Sequence, residues 1–587
     1  MTDLSRETHD ISNPRGPVMN SIRIVLRTLI DADHDCRDFA KIRAYNGVHF
    51  ALAALFPRLI SKRMLGLVLL VQLVTAHAYT WPSSKLDALE SLRFDLDKHA
   101  FAGFIRPCDV FIFSGPNSGR SDAADWIRNA YHDMATHNIA DGTGGMDGSI
   151  RFSEEQSRPE NAGDGFSNTV GLLFLEVNRY ISVADAFAIG AIQAIENCGG
   201  PEIAFRGGRV DATGPNSPGV PEPQQDLDEH IASFARQGFT QSEMIGLVAC
   251  GHSFGGVQHD PFPDIVPELN DPNNTQSVQH FDSTNVHFDN NIATEYISGT
   301  TQNPLVVGFN DTTNSDKRIF GSDGNATMLS FANSPDLFAS TCATLFAKML
   351  DTVPSGVQLT DVIRALPVKP DNVQLALDGD TLRLSGQLRL WNTTGDVNRT
   401  VRVIWDDRVG GTHNATLAAA QVDTNSPRTP AAWYSFPVLS LDAVAGIEIM
   451  RFTVNGKLED QDGVGFAVDD RVVFANTSCR TSSSSNPLTA RYDVGVRSGV
   501  NVTRVYLEED TFDDIPLPIV VKTDFPPTQS TTPTSAYSIW STDVSVDVTS
   551  RPFDVIQFSI GAEIDGVKIT DNGQHVLTAL PLCPGAT

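Results

Sequence analysis

The chain has 587 residues, 41% of them hydrophobic, with 71 acidic against 43 basic side chains and a formal charge of -28. That length predicts two or more domains with sizeable cores. So acidic a composition excludes nucleic acid and anionic membranes as expected partners, because either needs a basic face.

Residues 1–63 show no clear periodicity and are expected to be an upstream extension, disordered or absent from the mature protein. Lys62 and Arg63 then flank Met64, Leu65 to Val74 is an apolar run too short to span a bilayer, and Ala76-His77-Ala78 is a small-x-small cleavage site. Residues 64–78 therefore read as a signal peptide, and the protein as secreted and extracellular, without membrane contact after cleavage. An uncleaved anchor is the rival reading. Eight N-x-S/T sequons, at Asn273, Asn310, Asn325, Asn392, Asn398, Asn414, Asn476 and Asn501, agree with a secreted glycoprotein. Cys36 lies in the extension. The six other cysteines, Cys108, Cys198, Cys250, Cys342, Cys479 and Cys583, should mostly pair in an oxidising compartment, with fifteen connectivities open.

Residues 79–366 are mainly helical in pattern. Helical spacing runs through Ser121–Asn138, Val183–Asn197, Leu227–Arg236, Thr240–Gly256 and Ser334–Asp351. Ser334 followed by Pro335 reads as an N-cap and first helical position. Pro367 and Pro370 mark a boundary. In residues 367–587 the period changes to two, as in Val373–Trp391, Val401–Trp405, Ile447–Val454, Val500–Leu507, Val544–Val548 and Val555–Ile560. Ser482–Ser485 and Pro526–Ser535 read as loop or linker. The expected fold is a mainly α domain followed by an all-β, sandwich-like domain, as one sandwich or two small ones. Cys479 and Cys583 are the only cysteines of the β-rich part and are expected to bond to each other. That part shows no catalytic constellation. Scaffolding is its bland role, and polysaccharide contact the binding role considered for it.

Two stretches carry chemistry. In Ser121–Asn138, Arg128 and His132 lie four apart on one helical face, a pair that is usually incidental. Asp133 follows directly. Gly145-Met146-Asp147-Gly148-Ser149 then offers carboxylate, carbonyl and hydroxyl oxygens of the kind calcium takes, although DG is also a common turn. In the second stretch, Gly251-His252-Ser253-Phe254-Gly255 spells G-x-S-x-G, the nucleophile elbow of a serine hydrolase with Ser253 as catalyst. Yet Thr240-Gln241-Ser242-Glu243 is a capping box, which predicts a helix running to Gly255-Gly256 and presenting His252 to a metal. An elbow needs a strand before its turn, so both readings stand at this point.

The hexapeptide Arg128-Asn129-Ala130-Tyr131-His132-Asp133, followed by G-x-D-G-S, resembles the distal side of secreted fungal haem peroxidases (class II-like) of the plant/fungal/bacterial superfamily. The resemblance implies haem b, two Ca2+ ions, H2O2 as oxidant and small reducing substrates. His132 would act as general base and then acid, Arg128 would stabilise developing negative charge, and Asn161 would hydrogen-bond His132. Asp133, Gly145, Asp147 and Ser149 would hold the distal calcium. Tyr131 stands where the family more often has Phe or Trp. On the proximal side His252 would bind iron, and Asp323, in Arg318–Asp323, would accept its Nδ1–H. Asp282, Thr284, the His287 carbonyl, Asp289 and Ser253 would form the second calcium shell, making Ser253 a ligand and not a nucleophile. Phe205–Asp211 looks like the family's G-R-x-D turn, and Val220-Pro221-Glu222-Pro223 like its L-P-x-P loop at the haem edge. The resemblance also implies that Cys108 bonds to Cys198, and Cys250 to Cys342. It covers about Tyr79–Leu366.

Manganese-oxidising relatives carry acidic groups at positions that here are Ser121, Asp125 and Gln258, so that design is disfavoured. Lignin-type relatives carry a Trp where this chain has Leu247, and Trp126 is expected to pack in the core. One-electron oxidation of small, phenolic donors at the haem edge is the remaining expectation. Its rivals are the Ser253 hydrolase and a non-catalytic secreted or wall-binding protein.

Overall fold

The computed structural model describes residues 79–586 except 116, 392–397, 423–430, 483–485, 527–535, 548–555 and 572. The extension, the signal segment, Cys36, the Asn392 sequon and most of both linkers lie outside the described residues. Among those described, no helix is long and apolar enough to cross a membrane.

The first half is helical. Its principal helices are α1 (Asp87–Phe94), α2 (Asp122–Met134), α3 (Val183–Asn197), α4 (Leu227–Arg236), α5 (Gln241–Gly251), α6 (Ser315–Gly321) and α7 (Pro335–Leu350). Their starts are set locally. Ser121, Ser182 and Ser334 each accept a backbone N–H of the first turn, and Asp226 with Glu229 and Thr240 with Glu243 close full capping boxes. Helix α3 is buried on every face from Val183 to Glu196, so it is the centre of the helical core. Gly190 lets α2 approach it, since a Cβ there would meet Leu173 at 2.9 Å and the Trp126 ring at 3.4 Å. Trp126 packs against Phe101, with ring centroids 5.2 Å apart.

The G-R-x-D turn clamps two helix ends together. Asp211 accepts the backbone N–H groups of Val183 and Ala184 at the start of α3. The buried Arg209 binds Asp185 at 2.8 Å and the Leu350 carbonyl at the end of α7 at 2.7 Å. Disulfides join Cys108 to Cys198, Cys250 to Cys342, and Cys479 to Cys583.

From Val368 onward the chain is β-structure. The stretch Val373–Trp391 resolves into a hairpin, Val368–Asp378 against Thr381–Leu390, turning at Gly379. A nine-stranded sheet contains this hairpin together with Val472–Ala475, Leu488–Arg497 and Tyr537–Val546. Two five-stranded sheets flank it. One, around Val401–Asp406 and Ile449–Val454, shares a core with Leu382, Leu384 and Leu388 of the long sheet. The other, around Val502–Phe512 and Gln557–Ile564, packs on Tyr492, Val494 and Trp540. The β-rich part is thus two cores that share one sheet.

It is also bonded to the helical part through buried charge. Arg389, fully buried, reaches Glu90 of α1 and binds Asp95 at 2.7 Å, while Lys369 binds Glu90 at 2.5 Å. Arg179 pairs with Glu508 and Asp510, beside a Phe174–Phe512 ring contact at 5.6 Å. Lys98 lies 3.5 Å over the Trp433 ring. Arg389→Ala would leave Asp95 buried without its cationic partner and Glu90 with Lys369 alone, which costs about 3–5 kcal/mol. Denaturant unfolding should show that loss in the helical and β signals together.

Candidate active site

Helix α5 ends at Gly251, four residues before the Gly255-Gly256 stop that its sequence predicts. The His252 N–H still bonds the Val248 carbonyl, and the Ser253 hydroxyl turns back to the Cys250 carbonyl at 2.9 Å. The chain then runs into a short strand, β1 (Gly256–Gln258), paired with β2 (Val278–His280). Gly256 is required there, because a Cβ would sit 2.4 Å from the Gln279 carbonyl oxygen. The order is helix, turn, strand, the reverse of a nucleophile elbow. Ser253 is fully buried.

This turn aims the His252 side chain into a cavity of about 660 Å³, opposite Arg128, Tyr131 and His132 of α2. The Nδ1 of His252 donates to Asp316 Oδ2 at 2.8 Å, and that oxygen also accepts Asn303 Nδ2 at 2.8 Å. The His252 ring stacks on Phe281 at 4.1 Å. With Nδ1 engaged, Nε2 carries the lone pair. The partner is therefore Asp316, not Asp323. Asp316 lies buried in the first turn of α6, whereas Asp323 lies beyond the end of that helix, seven residues or about 10 Å along an axis. Asp323 is exposed and accepts the Thr327 N–H and hydroxyl.

On the facing wall, Asn161 Oδ1 lies 2.7 Å from His132 Nδ1. Asn161 Nδ2 donates to the Glu155 carbonyl at 2.8 Å, which fixes the amide so that Nδ1 of His132 must hold the proton. Burial, with Arg128 adding to it, pushes the His132 imidazole down to about 3, so the ring is neutral at physiological pH. Burial lowers Arg128 to about 10, which leaves it charged. Its guanidinium lies over Phe166 at 4.4 Å and donates to the Ala162 carbonyl. Tyr131 stacks on Phe234 at 5.9 Å, and its hydroxyl reaches Gln237 at 3.5 Å.

Two oxygen-rich loops brace these helices. In the first, Asp133 accepts the N–H groups of Asp147, Gly148 and Ile150, and burial raises its carboxyl well above the usual range, with Asp147 adding. Gly145 and Gly148 take positive φ, as the bend requires. In the second, Thr284 links Asp282 and Asp289 by hydroxyl contacts at 3.3 and 3.1 Å. Asp282 Oδ2 is buried and accepts no hydrogen bond, and burial raises this carboxyl to about 7. The Asn285 carbonyl accepts the Gly255 N–H, which brings this loop beside Ser253. His287 packs against Gly199, where a Cβ would lie 2.2 Å from the ring. Among the described residues no three His, Cys, Asp or Glu side chains converge as a metal cage. Any cation here would depend on carbonyl, hydroxyl and amide oxygens as well.

At the positions of the manganese-type design, Asp125 binds Arg120 at 2.7 Å. The same guanidinium reaches Asp164 at 2.6 Å, and Gln258 bonds Gln276 at 2.8 Å. A fixed cation thus fills that corner already. Trp126 is buried in the core, and Leu247 is buried as well. Sequence reasoning missed Asp316, Asn303, Arg120 and Asn216. Asp316 alone had a legible mark, a Ser-Asp pair resembling Ser322-Asp323 one helix later.

Residues 112–333 match the family model described as Peroxidase. The chain carries a peroxidase-superfamily domain, followed by a β-rich region. A "WSC domain-containing protein" of Arthroderma benhamiae is 39% identical over 341 residues, covering 57% of this chain and 46% of the relative. L-ascorbate peroxidase 5, peroxisomal, of Arabidopsis thaliana is 30% identical over 186 residues, 31% of this chain and 61% of that protein. Manganese peroxidase 2 of Phlebia radiata is 32% identical over 185 residues, 30% and 44% of the two chains. The chain spans about half the length of the curated relatives it matches.

The turn geometry predicts that an alkyl-phosphonate probe leaves Ser253 unmodified. Peptide mass spectrometry checks this, and a labelled Ser253 would restore the hydrolase reading.

Proposed function

We propose that this chain is a secreted haem peroxidase that reduces H2O2 and oxidises small, phenolic donors by one-electron steps. The observation that carries the reading is the His252–Asp316 pair, facing Arg128 and His132 across one cavity. The residues present fit the cofactor. His252 offers Nε2 to the cavity while a buried carboxylate holds Nδ1–H, the arrangement that makes an imidazole a strong iron ligand. Asp316 Oδ1 is buried without a hydrogen-bond partner, so the carboxylate's charge is directed largely at Nδ1–H and the Asn303 amide.

Bound haem b would supply the iron at which peroxide is cleaved and through which donors lose single electrons. His132 Nε2, a free lone pair on a neutral ring, would take the peroxide proton and return it to the departing oxygen. Asn161 keeps the ring in the tautomer that this transfer needs. The Arg128 guanidinium would stabilise negative charge as the bond between the oxygens breaks. The Phe166 and Phe262 rings lie against the Arg128 guanidinium at 4.4 and 5.7 Å. Pro221, Glu222 and Pro223 line the cavity rim, where small donors would approach. The Arg120–Asp125–Asp164 contacts argue against Mn(II) as donor.

Two Ca2+ ions are part of the proposal. The unpartnered Asp282 Oδ2 supports the proximal one, with Thr284, Asp289, the His287 carbonyl and Ser253 as its further oxygens. Asp133, Asp147, Ser149 and the Gly145 carbonyl would serve the distal one. Three disulfides support secretion, as do six exposed sequon asparagines, Asn273, Asn325, Asn398, Asn414, Asn476 and Asn501. The β-rich region is proposed as a brace for the helical domain, since it seats α1 through buried ion pairs; nothing specific favours polysaccharide.

The purified protein should show a Soret band that His252→Ala removes; a colourless protein unable to take up haem would sink the proposal. His132→Ala should keep the band and slow the reaction with peroxide by about 10²- to 10⁴-fold in stopped flow. The pH profile follows from burial of His132. A lowered imidazole pKa keeps the neutral, proton-accepting form below the usual 6.5, so the peroxide rate should stay level from pH 7 to about 4. An inflection near 6.5 assigned to His132 would contradict this.

A further inference from the structure

The distal oxygen cluster holds one side chain that the sequence does not single out. Asn216 reaches it from the loop after the G-R-x-D turn. Its carboxamide nitrogen lies 2.9 Å from Asp147 Oδ2, 3.0 Å from Asp147 Oδ1, 2.9 Å from Ser149 Oγ and 3.3 Å from Thr136 Oγ1. An amide nitrogen has two hydrogens and cannot serve four oxygens. The two ends of a carboxamide are nearly alike in shape, and which faces a cluster is decided by the hydrogen bonds available. With a cation in the cluster that choice reverses, because Oδ1 becomes the favoured end.

The spacing points the same way. Oxygens that bind one calcium at 2.3–2.6 Å stand roughly 3 Å from one another. The Asn216 atom is at that ligand-to-ligand spacing from all four oxygens, and too far from any of them to occupy the ion's own place. Charge is also unbalanced. Among the described residues neither Asp133 nor Asp147 forms an ion pair with Lys or Arg, and the nearby Arg151 donates instead to the Gly148 and Ala212 carbonyls. Glu155, fully buried beside them, has its own cation, since Arg158 lies 3.9 Å from its Oε2, so the unbalanced charge is that of Asp133 and Asp147. Asn216 is itself fixed in place, since its N–H donates to Glu155 Oε1 and its carbonyl accepts from Arg158. A ligand held on both sides of its peptide loses little freedom on binding.

We propose that Asn216 is a ligand of the distal cation through Oδ1, so that the loop 211–219 is tied to the end of α2 by the metal. The inference rests on the reading of a distal Ca2+ site. It adds a residue that joins a third segment, at Asn216, to the two already proposed for the ion, Asp133 and Gly145–Ser149.

The test is a titration of the full-length protein, stripped with chelator, using Ca2+ in calorimetry and Tb3+ luminescence as a second readout. Wild type should bind two ions, of which Asp282→Asn loses one. Asn216→Ala should weaken the other about tenfold or more and leave the first unchanged. Asn216→Asp, which keeps an oxygen and adds charge, should bind that ion at least as tightly as wild type. Should Asn216→Ala not fold, Asn216→Asp decides alone, and weaker binding in it would overturn the proposal. Two ions with unchanged affinities in Asn216→Ala would overturn the role of Asn216 while leaving the distal site standing. A single ion in wild type, lost in Asp282→Asn, would overturn the distal site and with it the proposal.

Discussion

A carboxylate almost sealed from solvent holds the His252 ring, and the site is built around that bond. Asp316 sits in the first turn of α6, where the helix dipole favours an anion. One of its oxygens is shared between His252 Nδ1 and Asn303 Nδ2. Phe281 lies flat against the ring and removes its remaining rotation. The capping box at Thr240 fixes where α5 begins, and Gly256 fixes where the chain must leave it. With both ends determined, His252 has one direction to face, which is the cavity.

The opposite wall is organised by a different constraint, the desolvation of two basic groups. Burial keeps His132 neutral and leaves Arg128 charged, so adjacent turns of α2 present a proton acceptor and a fixed positive charge. The tether from Asn161 decides which nitrogen faces inward. The loops that follow α2 and α5 concentrate oxygen where each helix ends, so whatever satisfies those carboxylates also fixes the two histidine-bearing helices. Arg120 performs the equivalent task for Asp125 and Asp164 without a metal.

Much of this was legible in the sequence, for reasons that are local. The Thr240–Glu243 capping box, the Arg128–His132 spacing, the glycine-bent loop and the period-two strands are all features of consecutive residues. The partner of His252 was not. Ser315-Asp316 and Ser322-Asp323 are alike as text, and burial within one turn of α6 alone distinguishes them. Asn216 and Arg120 were hidden for a similar reason, as single polar residues in loops whose partners lie far along the chain. In the β-rich part the strands could be read, but not their partners. The pairing of Glu90 with Arg389 spans 299 positions, so no pattern along the chain announces that α1 is seated in the β-region.

The central claim is that Asp316 polarises the His252 ring, which is proposed to bind iron. Resonance Raman spectroscopy of the reduced haem protein tests it most directly, through the iron–histidine stretch. Asp316→Asn should lower that frequency relative to wild type, because the neutral amide withdraws less from Nδ1–H and the ring loses imidazolate character. Asp323→Asn should leave it unmoved. A frequency unchanged in Asp316→Asn, or shifted in Asp323→Asn, would contradict the account.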